Sequence, residues 1–286
     1  MAVYRRSYTS YTGPLTPAWS RSLVLFRYSR RKLFRSKFQT ALFVLCFFYP
    51  LGCLLMIYAA HNLSFLENLG GLNGSFIKID SKFFLAFITV QGALAFVLTA
   101  FTGPGLISPD LANGALPLYL CRPFSRAEYI VGKASVLAIV LSQITWIPGL
   151  ILFAVQCSLA GSSWTWDHLW IAGSMFLSSV IWIAILSLLA MALSAWVKWR
   201  VVAGALLLAV LFFGAGFGQA VNAVLHTGSG RFFDITFLMG VVWTSLFRVQ
   251  NEASITSSQA WIALLVYCAI CLALLVRRVR AYEVVK

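Results

Sequence analysis

The sequence predicts an all-α, polytopic membrane protein with six transmembrane helices and both termini in the cytoplasm, preceded by an interfacial amphipathic helix. Three observations carry this expectation. The 286 residues are 60% hydrophobic and only 10% charged, with a mean hydropathy of +0.86, whereas soluble domains are about 45–50% apolar and about 25% charged. So few charged residues cannot cover the surface of a soluble chain of this size. Six stretches, Gln39–Ala60, Phe83–Ile107, Ala134–Leu159, Leu169–Val197, Val201–Val224 and Ala260–Val276, contain no Asp, Glu, Lys, Arg or His. At about 1.5 Å per residue each can cross about 30 Å of hydrocarbon, the last and shortest by borrowing Ser257–Gln259. They are continuously apolar and do not alternate, which excludes barrel strands.

Basic residues set the orientation. Nine Lys and Arg precede the first span, three lie between the second and third, two between the fourth and fifth, and four in the tail; the other side holds only Lys78, Lys82, Arg231 and Arg248. Positive charge stays on the cytoplasmic side of short loops, so the termini are expected in the cytoplasm and the host membrane is read as the plasma (inner) membrane. The net charge of +14 is accounted for by topology and by attraction to anionic membrane lipids, and no nucleic-acid partner is called for.

Residues 1–18 read as a disordered tip and 19–37 as the interfacial helix. Trp19, Leu23, Phe26, Leu33 and Phe34 recur near helical spacing, while Arg27, Arg31 and Arg35 repeat every four residues and meet the headgroups. Residues 38–276 form the six-span domain and 277–286 a cytoplasmic tail. Gly103-Pro104-Gly105 is expected to break or kink the second span. Ser108-Pro109-Asp110 reads as a helix start, and Ser125-Arg126-Ala127-Glu128 as a capping box opening a second helix. Between them lie Leu116, Leu118 and Leu120 with Pro117 and Pro123, a short apolar unit that packs either on the protein's own helix ends or on a cytoplasmic partner. In the outer loop 225–259, Ile235–Phe247 is too short to cross and suits a re-entrant or an interfacial helix. It either caps the mouth of a pathway or anchors in lipid.

The chemistry of enzymes is missing. Metalloprotease, phosphate-loop, dinucleotide and metal-ligand patterns are absent from the sequence, so no catalytic residues, cofactor or metal are expected. His61, His168 and His226 stand apart without a pairing pattern, and the cysteines suit packing better than bridges. No span carries an ionisable side chain, which disfavours a proton relay. Gln91, Gln143, Gln156, Gln219 and Asn222 are expected to bridge helices more readily than to bind substrate.

The 108–133 loop resembles the corresponding loop of the permease subunits of type 2 ATP-binding cassette (ABC-2) transporters. Those carry an acid, a glycine with a leucine-rich stretch, a proline, Ser-Arg, an acid and Gly-Lys after the second span. Asp110, Gly114, Leu116, Leu118, Leu120, Pro123, Ser125, Arg126, Glu128, Gly132 and Lys133 stand here in that order. Ala115 replaces a common threonine and Pro117 is an additional proline. The resemblance implies a permease, paired with a second permease subunit, identical or related, and with two cytoplasmic ABC ATPase subunits. Hydrolysis would occur in the ATPases, and transport would be export. The loop would be the coupling element, with the leucines as apolar anchor and Asp110, Arg122, Arg126 and Glu128 as pairing groups. The sequence also admits a membrane scaffold or anchor without transport, or a secondary transporter driven by an ion gradient.

Overall fold

The computed structural model describes residues 26–31, 33–62, 78–114, 126–225, 229–250 and 255–278. The described residues form ten α-helices and one 3₁₀ turn: α1 (Lys37–Leu45), α2 (Phe48–His61), α3 (Ser81–Thr102), α4 (Pro104–Ala112), α5 (Arg126–Ile144), α6 (Trp146–Ala160), α7 (Ser162–Trp196), α8 (Arg200–Leu225), the turn Ser229–Phe233, α9 (Ile235–Leu246) and α10 (Ser257–Arg278). Six segments are long and apolar enough to cross a membrane, at Lys37–His61, Ser81–Asp110, Ala127–Ala160, Ser162–Trp196, Arg200–Leu225 and Ser257–Arg278. Each contains the corresponding stretch anticipated from missing charges, apart from one residue at the end of the fourth. Of the interfacial helix, 26–31 and 33–34 are helical, whereas Trp19 and Leu23 lie outside the described residues.

The spans are unequal. The second, third and fourth are 56–61% buried in their most apolar stretches, against 22–28% for the first, fifth and sixth. The long α7 is the centre, packing on α3, α4, α5, α6, α8, α9 and α10. Basic residues gather at one end of the bundle, where Lys133 meets Ser29 and the Arg278 guanidinium lies 5.7 Å from the Trp196 ring.

Prolines break three of the spans, and the breaks in the first and second expose backbone carbonyls that other elements use. Pro50 has no N–H for the carbonyl of Cys46, so α1 ends at Leu45 and α2 starts at Phe48. The buried Gln91 of α3 fills the vacancy, its Nε2 donating to Cys46 O at 2.9 Å. This is one of the interhelical bridges expected of the span glutamines. Pro148 acts likewise on the third span, dividing α5 from α6 at Thr145, whose hydroxyl donates to Leu141 O at 2.8 Å.

The segment Ser229–Leu246 folds as a hairpin against the bundle, an arrangement that suits the first of the two alternatives left open by its length. After α8 the turn Ser229–Phe233 runs back along that helix. Asn222 Oδ1 accepts from Gly230 N at 2.7 Å, and further down the chain direction reverses at Asp234, whose carboxylate caps α9 by accepting from Thr236 N and Phe237 N at 3.0 Å each. Then α9 climbs back, starting beside Ile185 and Leu189 and ending where Ser174 Oγ donates to Leu246 O at 2.8 Å. Because α7 runs toward the basic end, this order places the beginning of α9 deeper than its end. Ile235, Leu238, Met239, Val241, Val242 and Trp243 are all buried, so α9 is a core helix.

Close approach of backbones makes the hairpin possible. A Cβ on Gly218 would lie 2.4 Å from Gly230 O, and one on Gly214 2.6 Å from Phe233 O. Gly218→Ala must therefore push the descending turn off α8. The expected cost is about 1–3 kcal/mol, seen as a lower melting temperature in detergent; an unchanged melting profile would show that the hairpin is not held this tightly.

Candidate functional site at the basic end

The break at Gly103 comes from Pro104, which occupies the first position of α4. Two neighbours seize the carbonyl of Phe101 that the break leaves open: Gln39 Nε2 from the first span at 3.3 Å and Arg200 Nη2 from the start of α8 at 3.0 Å. Gly105 is needed for this approach, since a Cβ there would sit 3.2 Å from Arg200 Nε. One kink thus ties three spans together.

Ser108 is not the helix start that Ser-Pro-Asp spelled. It lies inside α4, one full turn after Pro104, and its side chain is occupied elsewhere. The Ser108 N–H donates to Ser194 Oγ at 2.9 Å, and that hydroxyl donates to Pro104 O at 3.1 Å. The hydroxyl of α7 thereby touches both a backbone donor and a backbone acceptor of α4. Ser108 Oγ in turn donates to Ser194 O at 3.1 Å. All of these groups are buried, so the helix entering the loop is fastened to the central span.

The loop's two ends are joined by charge. Asp110 Oδ2 lies 2.9 Å from Lys133 Nζ, and the two side chains are 12% and 6% exposed. Tyr129 Oη donates to the same carboxylate oxygen at 2.9 Å, and Lys133 Nζ donates to Ser29 Oγ at 3.5 Å. Tyr129 and Lys133 are four apart on α5 and so share one face, with the ammonium 5.7 Å from the ring. This clamp unites the end of α4, the first two turns of α5 and the helical residues 26–31. A cavity of about 40 Å³ beside it is lined by Ser29, Gln39, Gly105, Asp110, Lys133 and Arg200 among others.

Of the residues singled out for the coupling loop, Asp110 and Lys133 are brought together and Gly132 is buried behind them, its carbonyl accepting from Ser135 Oγ at 2.9 Å. Gly114, with φ of 62°, ends α4 in the left-handed conformation that favours glycine. Glu128 lies in the first turn of α5, where an acid suits the helix dipole. The second helix is described from Arg126 onward, and Ser125, the expected cap, lies outside the described residues. So do Leu116, Leu118, Leu120, Arg122 and Pro123, as does the Arg126 side chain. Arg27, Arg31 and Arg35 are exposed.

Five members of the site were not singled out from the sequence: Tyr129, Ser29, Ser194, Gln39 and Arg200. Tyr129 carried a usable signal, its spacing of four from Lys133; the other four lie far from their partners along the chain. No group of three or more His, Cys, Asp or Glu capable of holding a metal occurs among the described residues. No protein-family model matches this sequence, and no curated protein matches it either. The described geometry joins the end of α4 to α5 and to α7. It offers a mechanical arrangement, in which a loop is fixed at both ends to different spans.

Proposed function

We propose that this multi-pass membrane protein is the permease subunit of an ATP-driven ABC transporter of type 2, residing in the plasma membrane with both termini cytoplasmic. It works as an exporter with a second permease subunit and two separate ATPase subunits, and it hydrolyses nothing itself. The observation that carries this reading is the buried Asp110–Lys133 pair, 2.9 Å apart, inside a loop whose residue order resembles that family's coupling loop. A loop clamped in this way cannot be displaced alone. Force applied between residues 110 and 133 is delivered through α4 and Ser194 to the central span, and through Lys133 to the third span and the interfacial segment. Such rigid transmission is what ATP-driven rocking of the spans requires.

The test is an affinity pull-down of the solubilised protein from its native cell. A nucleotide-binding ATPase should co-purify, and Leu118→Asp should remove it while membrane insertion is unaffected, because a charge is placed in the apolar anchor of the contact. Retention of the ATPase by Leu118→Asp would move the contact elsewhere. Absence of any ATPase in several mild detergents would favour the scaffold or the ion-driven transporter.

A further inference from the structure

The re-entrant hairpin carries two charges into the membrane. Tyr267 Oη donates to Phe232 O at 3.1 Å, and Tyr267 stands midway along α10, about 15 Å from either end. Asp234, two residues beyond Phe232, is thus near the middle of a hydrocarbon layer about 30 Å thick. Arg231 precedes it by one turn of 3₁₀ helix. The six uncharged stretches read from the sequence carry no ionised side chain into the hydrocarbon; this loop supplies two.

Among the described residues, neither charge is enclosed by its own chain. Asp234 is half-buried and Arg231 exposed; the guanidinium lies 4.7 Å from the Phe237 ring, and no ion pair joins either residue to another described residue. Ionised side chains at such depth face protein or a water-filled cavity, not lipid. The same surface also shows Phe217 and Phe233, edge to face at 5.1 Å and 56% and 49% exposed, with Phe213 nearby on α8 at 76%. Lipid would accept the phenylalanines and reject the charges, while a water-filled channel would accept the charges and reject the phenylalanines. A protein surface accepts both, since aromatic and arginine side chains are the preferred anchors of interfaces.

The arrangement of charge selects the partner. A two-fold interface buries the same patch on both subunits, so the patch has to complement itself. Arg231 and Asp234, opposite in sign and one turn apart, meet that condition. We propose that the face of α8 and its hairpin centred on Arg231, Phe217 and Asp234 is the contact between two copies of this chain, with reciprocal Arg231–Asp234 ion pairs across the two-fold axis. This rests on the permease reading for the expectation of a paired subunit and deepens it by naming the second subunit as identical and locating the contact.

Differently tagged full-length copies, co-expressed and extracted into lipid nanodiscs, test this. Copies bearing Arg231→Glu should lose self-association at least tenfold, as should copies bearing Asp234→Arg, because each then presents like charges. Co-expressing one variant with the other should restore association. Because Asp234→Arg also removes a helix cap, a second measurement leaves both charges in place: a short bis-maleimide should join Phe233→Cys copies well above the background of the parent chain. Undiminished self-association of the Arg231→Glu copies, or absence of that crosslink, overturns the proposal, as would a parent chain that associates only with a different subunit. The ATPase is read in the same samples. A missing crosslink with the ATPase present rejects this interface alone, whereas a crosslink with no ATPase rejects the permease reading and leaves the interface standing.

Discussion

Lys133→Met is expected to destabilise the protein by about 3–5 kcal/mol, the usual consequence of removing one partner from a buried ion pair. The ammonium is 6% exposed and the Asp110 carboxylate 12%, so neither has solvent to fall back on. Without Lys133 the carboxylate keeps the Tyr129 hydroxyl at 2.9 Å, one neutral donor where a full charge stood, and burial of an uncompensated anion drives the loss. Replacing both partners, in Asp110→Leu with Lys133→Met, should recover most of the stability, because an apolar pair of similar volume has no charge to desolvate. Function should separate from stability here. The double variant lacks the link from α4 to α5 and to Ser29, so on the permease reading ATP-dependent transport should stay low although the fold is regained. An SDS unfolding titration gives the first quantity and nucleotide-dependent transport in proteoliposomes the second. Unfolding of Lys133→Met at the parent's SDS midpoint would remove the clamp from the account of the fold, and full transport by the double variant would remove it from the account of coupling.

How much of this was legible in the sequence depended on whether a signal was local. The six spans were readable because absence of charge over twenty residues is a property of each segment alone, independent of what it packs against. The kink at Gly103-Pro104 was readable for the same reason. What receives the freed carbonyls was not: Gln39 and Arg200 reach Phe101 from 62 and 99 positions away, and Gln91 reaches Cys46 from 45. Ser108 shows how a local rule is overridden. Ser-Pro-Asp fits a cap, but Pro104 already opens the helix four residues earlier, and Ser194, 86 positions away, supplies the partner that turns the serine into a tether between helices. The length of Ile235–Phe247 limited the outer segment to two options. Deciding between them needed Gly214 and Gly218 to meet the backbone of 230–233, a pairing that no periodicity within α8 announces. The apex of the loop, with Leu116, Leu118 and Leu120, lies outside the described residues, so its role rests on the resemblance and on the way its two ends are held.

Trp243→Ala is expected to cost about 3–5 kcal/mol, the range for deleting a large buried ring. Inside a membrane the ring is not held by exclusion of water, because lipid is as apolar as the core; it is held by packing and by the bonds its indole makes. Trp243 is 6% exposed, meets Trp182 edge to face at 5.7 Å, and donates from Nε1 to Ser178 O at 3.4 Å. Trp182 Nε1 in turn donates to Gly92 O at 2.9 Å, so the pair locks α9 to both α3 and α7. Gly92 gives a second handle on the same contact. A Cβ there would stand 2.5 Å from Trp243 Cη2, so Gly92→Ala alone should be destabilising through overpacking. In the Trp243→Ala background the nearest atom is gone and the next, Trp182 Nε1, is 3.3 Å away, so the same substitution should cost little. The two changes are therefore expected to be non-additive by about 1–3 kcal/mol, measurable as a double-mutant cycle in SDS unfolding. Additive losses would mean that Trp243 does not press on α3, and the hairpin would then owe its depth to α8 and α10 alone. The predicted coupling would instead make the ring the point at which the outer hairpin is geared to α3, the helix that at its other end kinks at Gly103 and enters the clamped loop.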